Sequence, residues 1–191
     1  MVKRFLVNLF MFVLLVVPCM GEEINEYELG QLSHVRGCQS VGIRGGHGTK
    51  NLFDVGLTYT YCFSNKISLL IEVDHERWND YPSFAELRTV EHTNWVMLSP
   101  GFEHNLLNPV KWFYWNWGFG AAVGYDRWKS LRMDYEEKCF VYGMQAGTGL
   151  EFMPWTRFSF VLKAQQYLLF SKSANYLKPN FSLAFRINFH G

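Results

Sequence analysis

Three carboxylates stand at alternate positions in one short segment, Glu72, Asp74 and Glu76. Alternate residues of an extended chain share a face, so the three line one side of a strand. Such a row can ligate Ca²⁺ or act as acid and base. It can equally be a set of interior charges paired with Arg and Lys, and that reading is preferred here. The six histidines, His34, His47, His75, His92, His104 and His190, show no metal-ligand spacing. His75 and Glu76, like Glu91 and His92, are chain neighbours and fall on opposite faces when extended. A lipid hydrolase or acyltransferase needs His, Ser and an acid converging at one rim. His104 and Ser99 lie on opposite faces of one strand, which argues against that pair. Arg44-Gly45-Gly46-His47-Gly48 is glycine-rich, but no helix pattern follows it, so a phosphate loop is not supported. Glycines releasing a strand end into a loop are the simpler account. No catalytic, cofactor or metal site is assigned, and no enzyme is expected.

These residues sit on segments whose apolar period is two, not 3.6. From Gln39 onward the chain offers about eight strand candidates, several near the ~10 residues of a tilted membrane strand. They cover 39–47, 52–63, 67–78, 93–104, 113–126, 139–152, 157–170 and 181–189. The fifth carries the strongest pattern. Phe113, Trp115, Trp117, Phe119, Ala121, Val123 and Tyr125 alternate with Tyr114, Asn116, Gly118, Gly120, Ala122, Gly124 and Asp126. Ser64-Asn65-Lys66, Leu107-Asn108-Pro109 and Met153-Pro154-Trp155-Thr156 read as tight turns. Residues 79–92, 127–138 and 171–179 read as longer polar loops. Short connections alternating with long ones mark an up-and-down membrane barrel.

The start of the chain is compositionally separate. Lys3 and Arg4 precede an apolar run from Phe5 to Val17, the size of a signal-peptide core and too short for a membrane-spanning helix. Cys19-Met20-Gly21 places small residues before an expected cleavage after Gly21. Lipidation of Cys19 and a retained anchor are the weaker alternatives. Residues 1–21 are therefore expected to be a signal peptide, 22–38 a polar leader and 39–189 a barrel domain. Losing Lys3 and Arg4 turns the formal charge of +1 into −1. No run of like charges points to nucleic acid. Cys38, Cys62 and Cys139 remain, an odd number that excludes a fully paired framework and allows one disulfide, with ordinary membrane-facing or interior thiols the preferred reading.

In hydrocarbon every backbone group must be bonded internally, which a closed barrel achieves and an open sheet does not. The apolar faces would then meet lipid. The other faces, rich in Gly, Ser, Asn and Gln, would fill a narrow lumen. That lumen would hold Arg44, Asp54, Glu72, Asp74, Glu103, Asp126, Glu151, Lys163 and Arg186, a mixed-sign set that can pair internally. Trp78, Trp95, Trp112, Trp128, Trp155 and Tyr167 are expected in interfacial girdles. A secreted lipocalin-like barrel shares the period with its faces inverted. Bulk argues against it, since the fifth strand's aromatics would crowd a small lumen. The expected fold is an all-β, eight-stranded antiparallel up-and-down transmembrane barrel of the outer-membrane type, too narrow for an open pore. Outer-membrane lipid and the barrel-assembly machinery are its expected partners, in a Gram-negative bacterium.

Several motifs together resemble one family. They are Gly42-Ile43-Arg44-Gly45-Gly46 in the first strand and Trp117-Gly118 through Gly124-Tyr125 in the fifth. Phe140-Val141-Tyr142-Gly143, with Gly147 and Glu151, begins the sixth, and Phe185-Arg186-Ile187-Asn188-Phe189 ends the chain. Across about residues 38–189 the chain resembles the TraO proteins of Bacteroides-type conjugative transposons. The resemblance implies a structural outer-membrane component of a DNA-transfer apparatus, with other conjugation proteins as partners and no catalytic residues to carry over. His190-Gly191 and the 127–138 segment depart from the pattern. A generic surface or envelope-integrity barrel is the alternative.

Phe181, Leu183, Phe185, Ile187 and Phe189 place five apolar residues at alternate positions before the C-terminus, as a barrel-assembly signal requires. Deleting residues 185–191 should block membrane insertion. Fractionation of cells carrying the truncation checks this, and normal assembly would count against a barrel.

Overall fold

The computed structural model describes residues 34–48, 53–78, 91–110, 112–130, 135–155, 157–171 and 175–190. The expected signal peptide and most of the leader lie outside them. Eight strands follow one another: β1 (Cys38–Gly48), β2 (Phe53–Cys62), β3 (Ile67–Trp78), β4 (Glu91–Val110), β5 (Phe113–Ser130), β6 (Tyr135–Trp155), β7 (Phe158–Phe170) and β8 (Asn175–His190). Each pairs antiparallel with its chain neighbours, and β1 pairs with β8, so the sheet closes into a barrel. The seam is long. It runs from Cys38↔His190 to Gly48↔Asn180 without a register break.

Both ends of the described chain lie at one mouth, called here the terminal mouth. The turn at 63–66, Trp112 and Arg157 lie at it too. The strand ends Gly48, Phe53, Trp78, Glu91, Ser130, Tyr135, Phe170 and Asn175 lie at the opposite, loop mouth.

The period of two decides which side chains meet the outside. Phe53, Val55, Val73, Phe119, Tyr125, Phe140, Leu162, Phe181 and Leu183 point outward and are exposed. Asp54, Glu72, Asp74, Ser99 and Asn180 point inward and are fully buried. This inside-out distribution is what a barrel in lipid requires, and it reverses a lipocalin's. Among the described residues no helix is long and apolar enough to cross a membrane.

Several strand ends differ from the sequence reading, and β6 continues through Met153-Pro154-Trp155, expected as a turn. β4 passes through Leu107-Asn108-Pro109, read above as a turn, and ends at Val110. Register shifts between Asn105 and Leu107 and between Leu107 and Val110 absorb the extra residues. Pro109 has no N–H to donate, and it is tolerated where the ladder is already irregular.

The charged segment 127–138, read as a loop, is largely strand. β5 reaches Ser130 and β6 starts at Tyr135, with Arg127↔Lys138 and Lys129↔Glu136 in register. Likewise β8 begins at Asn175, inside the expected 171–179 loop. Polar residues on both faces look like loop, yet an antiparallel ladder continues on backbone bonds alone.

Candidate functional site: a sealed polar lumen

Arg44 is the hub of the interior. It projects inward from β1, and the next strands bring acids to it. The guanidinium lies 2.8 Å from Asp54 on β2, and 2.8 Å from Asp74 and 3.1 Å from Glu72, both on β3. It also donates to the side-chain oxygen of Gln165 at 2.9 Å. The planar fork of an arginine suits it to several acceptors at once. Two glycines make the room. A Cβ at Gly46 would collide with the Asp54 carboxylate, and one at Gly56 with that of Asp74. Within the run 44–48, Gly46 makes room for Asp54, and Gly48 ends β1.

From this hub the charges run toward the terminal mouth. Lys163 reaches Glu72 at 3.0 Å and Glu103 at 2.7 Å. Gln165 donates to the second oxygen of Glu72 at 2.8 Å. Arg186 lies 3.5 Å from Glu103 and 3.9 Å from Glu151. Asn116 donates to Glu151 at 3.4 Å. Toward the loop mouth the pattern changes. Lys178 pairs with Glu76 and lies over the rings of Trp95, at 4.8 Å, and Tyr167, at 5.6 Å. These rings join Met97, Ala122, Val141 and Leu169 in an apolar cluster that fills this half of the barrel.

The terminal mouth is occupied as well. The turn before β1 lays His34 across it. Its imidazole lies 3.2 Å from Glu151 and packs on Tyr114, with ring centroids 4.2 Å apart. Burial works against a charge on His34, but hydrogen bonds with Cys62 and Glu151 and the charge of Glu151 outweigh it. The pKa rises from 6.5 to about 9, so the ring is cationic at neutral pH.

Among the described residues these side chains fill most of the lumen. A cavity of about 20 Å³ beside Glu103, Lys163 and Gln165 has room for about one water. Among the described residues no cluster of His, Cys, Asp or Glu side chains is arranged to hold a metal ion.

The fold is that of the small outer-membrane barrels. The chain is similar to the attachment invasion locus protein Ail of Yersinia pestis, at 15% identity over 81% of this chain and 100% of that one, with a TM-score of 0.54. It is similar to the N-terminal β-barrel domain of Pseudomonas aeruginosa OprF, at 11% identity over 80% and 98%, TM-score 0.55. It is similar to OprG of the same organism, at 10% identity over 83% and 98%, TM-score 0.55. At these identities the likeness is one of fold alone. No protein-family model matches the chain, and no curated protein does.

All nine residues named for the lumen project into this barrel and are buried. Eight meet in the connected network just described. Asp126 is buried higher, in register with Trp95 and Cys139 near the loop mouth. The row Glu72, Asp74 and Glu76 is split among Lys163, Arg44 and Lys178 rather than converging on one ion. Ser99 is buried inside, while His104 faces outward beside Trp117.

Trp95 and Tyr167, expected in the girdles, instead lie inside at 4% and 0% exposure. Their chain parity is that of Met97 and Leu169, so the alternation itself assigned them inward. Trp112 and Trp155 do face outward, at 54% and 64%. The side chains of Trp78 and Trp128 lie outside the described residues. Two members were missed. Lys178 was hidden by placing the start of β8 too late, although it shares the parity of Asn180, Ser182 and Arg186. His34 precedes every strand, and no periodic signal could have found it.

Replacing Arg44 with Met leaves Asp54, Glu72 and Asp74 buried without their shared cation. The expected loss is about 3–5 kcal/mol, the cost of stranding buried charge. It should appear as a lower denaturant midpoint of the detergent-folded barrel, with Arg44→Lys losing less.

The His34 contact should depend on pH. Its folded pKa is raised, so its stabilisation is complete below about pH 6.5 and is lost as pH rises through about 9. Thermal unfolding across that window should show this decline, and His34→Ala should flatten it. An unchanged pH profile in the variant would count against the contact.

Proposed function

We propose that the protein works in the outer membrane of a Gram-negative bacterium as a structural, non-porin barrel of a conjugative DNA-transfer apparatus. The observation that carries the non-porin part is the sealed lumen. Among the described residues an ion-paired core centred on Arg44, an apolar cluster and His34 occupy the lumen from one mouth to the other. Burying that many charges makes sense where both the lipid-facing side and the backbone ladder forbid any other placement. The outward band of Phe, Tyr, Trp, Leu and Val supports residence in lipid. Function then falls to the two ends.

At the loop mouth β6 extends beyond the last β6–β7 register pair, Tyr142↔Phe170. Strand residues 135–141 pair with β5 beyond that point and form a raised ribbon suited to docking. At the terminal mouth the leader joins the barrel through His34. The resemblance to TraO proteins supports a conjugation apparatus as the assembly that these ends would contact.

A second reading has its own observation. The similar barrel Ail is an attachment invasion locus protein, and it has been solved with the heparin analogue sucrose octasulfate. An adhesion barrel would use the same raised ribbon.

Deleting the gene distinguishes the two readings. Loss of DNA transfer, restored by the intact gene, is the expected result. Normal transfer with weakened surface attachment would overturn the conjugation role in favour of adhesion. Fractionation, with gels of heated and unheated samples, checks location and barrel closure independently.

A further inference from the structure

Cys38 opens β1 and Cys62 closes β2, and both are buried at the terminal mouth. The β1–β2 ladder runs without a break from His47↔Phe53 to Gln39↔Tyr61. One further step along that ladder puts Cys38 directly opposite Cys62. Directly opposed residues of an antiparallel pair have Cα atoms ~4.5–5.5 Å apart. A disulfide needs ~4.4–6.8 Å, so the backbone already has the required spacing. Both side chains face the lumen, and each thiol influences the ionisation of the other. The strand end is held in place, since the amide of Gly37 donates to the carbonyl of Cys62 at 2.9 Å. Cys139 lies near the other mouth, in register with Asp126, and cannot reach either of them.

A third group completes the cluster. His34 hydrogen-bonds the Cys62 thiol as well as Glu151.

We propose that Cys38 and Cys62 are a disulfide-forming pair, oxidised by exchange with a protein disulfide in the compartment that receives the exported chain. This inference rests on the outer-membrane reading above, because cytosolic thiols stay reduced. One thiol loses its proton, and the thiolate attacks the donor disulfide, releasing one donor sulfur as thiolate. The second thiolate attacks the resulting mixed disulfide. A Cys38–Cys62 bond forms, the donor leaves as a dithiol, and two electrons have passed to it. Both sulfurs are buried in the closed barrel, so the exchange takes place before β8 seals the seam. The bridge then ties the first hairpin together beneath His34 and restrains the unfolded chain.

Trypsin provides a direct readout. Cleavage after Arg36, Arg44, Lys50 and Lys66 separates Cys38, on peptide 37–44, from Cys62, on peptide 51–66. Cells are acid-quenched, thiols are blocked with N-ethylmaleimide under denaturing conditions, and the outer-membrane fraction is digested without reductant. The expected result is that most of peptide 37–44 is recovered joined to 51–66, with Cys139 alkylated and the pair separated by reductant. In Cys38→Ser protein, Cys62 should become alkylated. Recovery of both peptides alkylated from wild-type protein would overturn the pairing, as would a bridge to Cys139. Absence of the protein from the outer-membrane fraction would instead defeat the location. The pairing is then decided on barrel refolded in detergent with oxidised glutathione, where a joined peptide upholds it and alkylated thiols overturn it.

Discussion

The seam between β1 and β8 is the contact on which the rest of the structure depends. A sheet in hydrocarbon has nowhere to leave an unpaired edge, because each exposed N–H or C=O costs several kcal/mol. Eight strands meeting edge to edge remove both edges at once. Closure also creates the inside. Until Cys38–Gly48 lies against Asn180–His190, the polar faces of the strands have no enclosed space to fill. The two outermost strands are joined in sequence only through the six between them, so the seam is the longest-range contact in the fold and carries a large entropic cost. A bridged first hairpin would present β1 already paired on one side when β8 arrives.

Once the barrel closes, its small radius forces the interior chemistry. Eight strands enclose space for side chains and little else. Every second residue must fit there, and many of those residues are charged. Asp54, Glu72, Asp74, Glu76, Glu103 and Glu151 face Arg44, Lys163, Lys178 and Arg186. The acids outnumber the cations, so the cations are shared. Arg44 serves three carboxylates, while Lys163 and Arg186 serve two each. Shared charges tie β1, β2, β3, β4, β6, β7 and β8 into one network and leave little slack for a conducting path. Such a network is costly to break, though it adds little or no stability over an apolar core of equal volume. Its evident effect is to fix the arrangement of the strands and to seal the lumen.

The two ends escape these constraints. Beyond the hydrocarbon, water satisfies backbone groups, and strand length is no longer tied to bilayer thickness. There β4, β5 and β6 run to 20, 18 and 21 residues, against 10 to 13 for β1, β2, β3 and β7. The barrel is accordingly lopsided at the loop mouth, with its raised ribbon on one side. At the opposite mouth the chain enters through a turn that uses Gly37 in the left-handed region, at φ 87°, a conformation most residues avoid. That turn lets His34 fold back over the lumen instead of continuing away from it.

Much of this was legible before any coordinates. Alternation assigned a face to nearly every residue, because the side-chain period of a strand is two whatever its surroundings. It correctly sent Phe113, Trp115 and Trp117 outward and Glu72, Lys163 and Arg186 inward. Parity, however, carries no information about height or partner. That Lys163 meets Glu72, 91 residues away, follows from the stagger of closed strands and from nothing local. The same blindness hid the pairing of Lys178 with Glu76 and the reach of His34 to Glu151. It misplaced the ends of β4, β5, β6 and β8, since ladders outlast the apolar pattern that announces them. Trp95 and Tyr167 follow their parity into the lumen, against the preference of their residue types for the interface. Composition and period by themselves determined an inside-out barrel with charged filling. Only closure decided which charges meet and that the lumen is shut, because that depends on the shear and radius of the whole sheet.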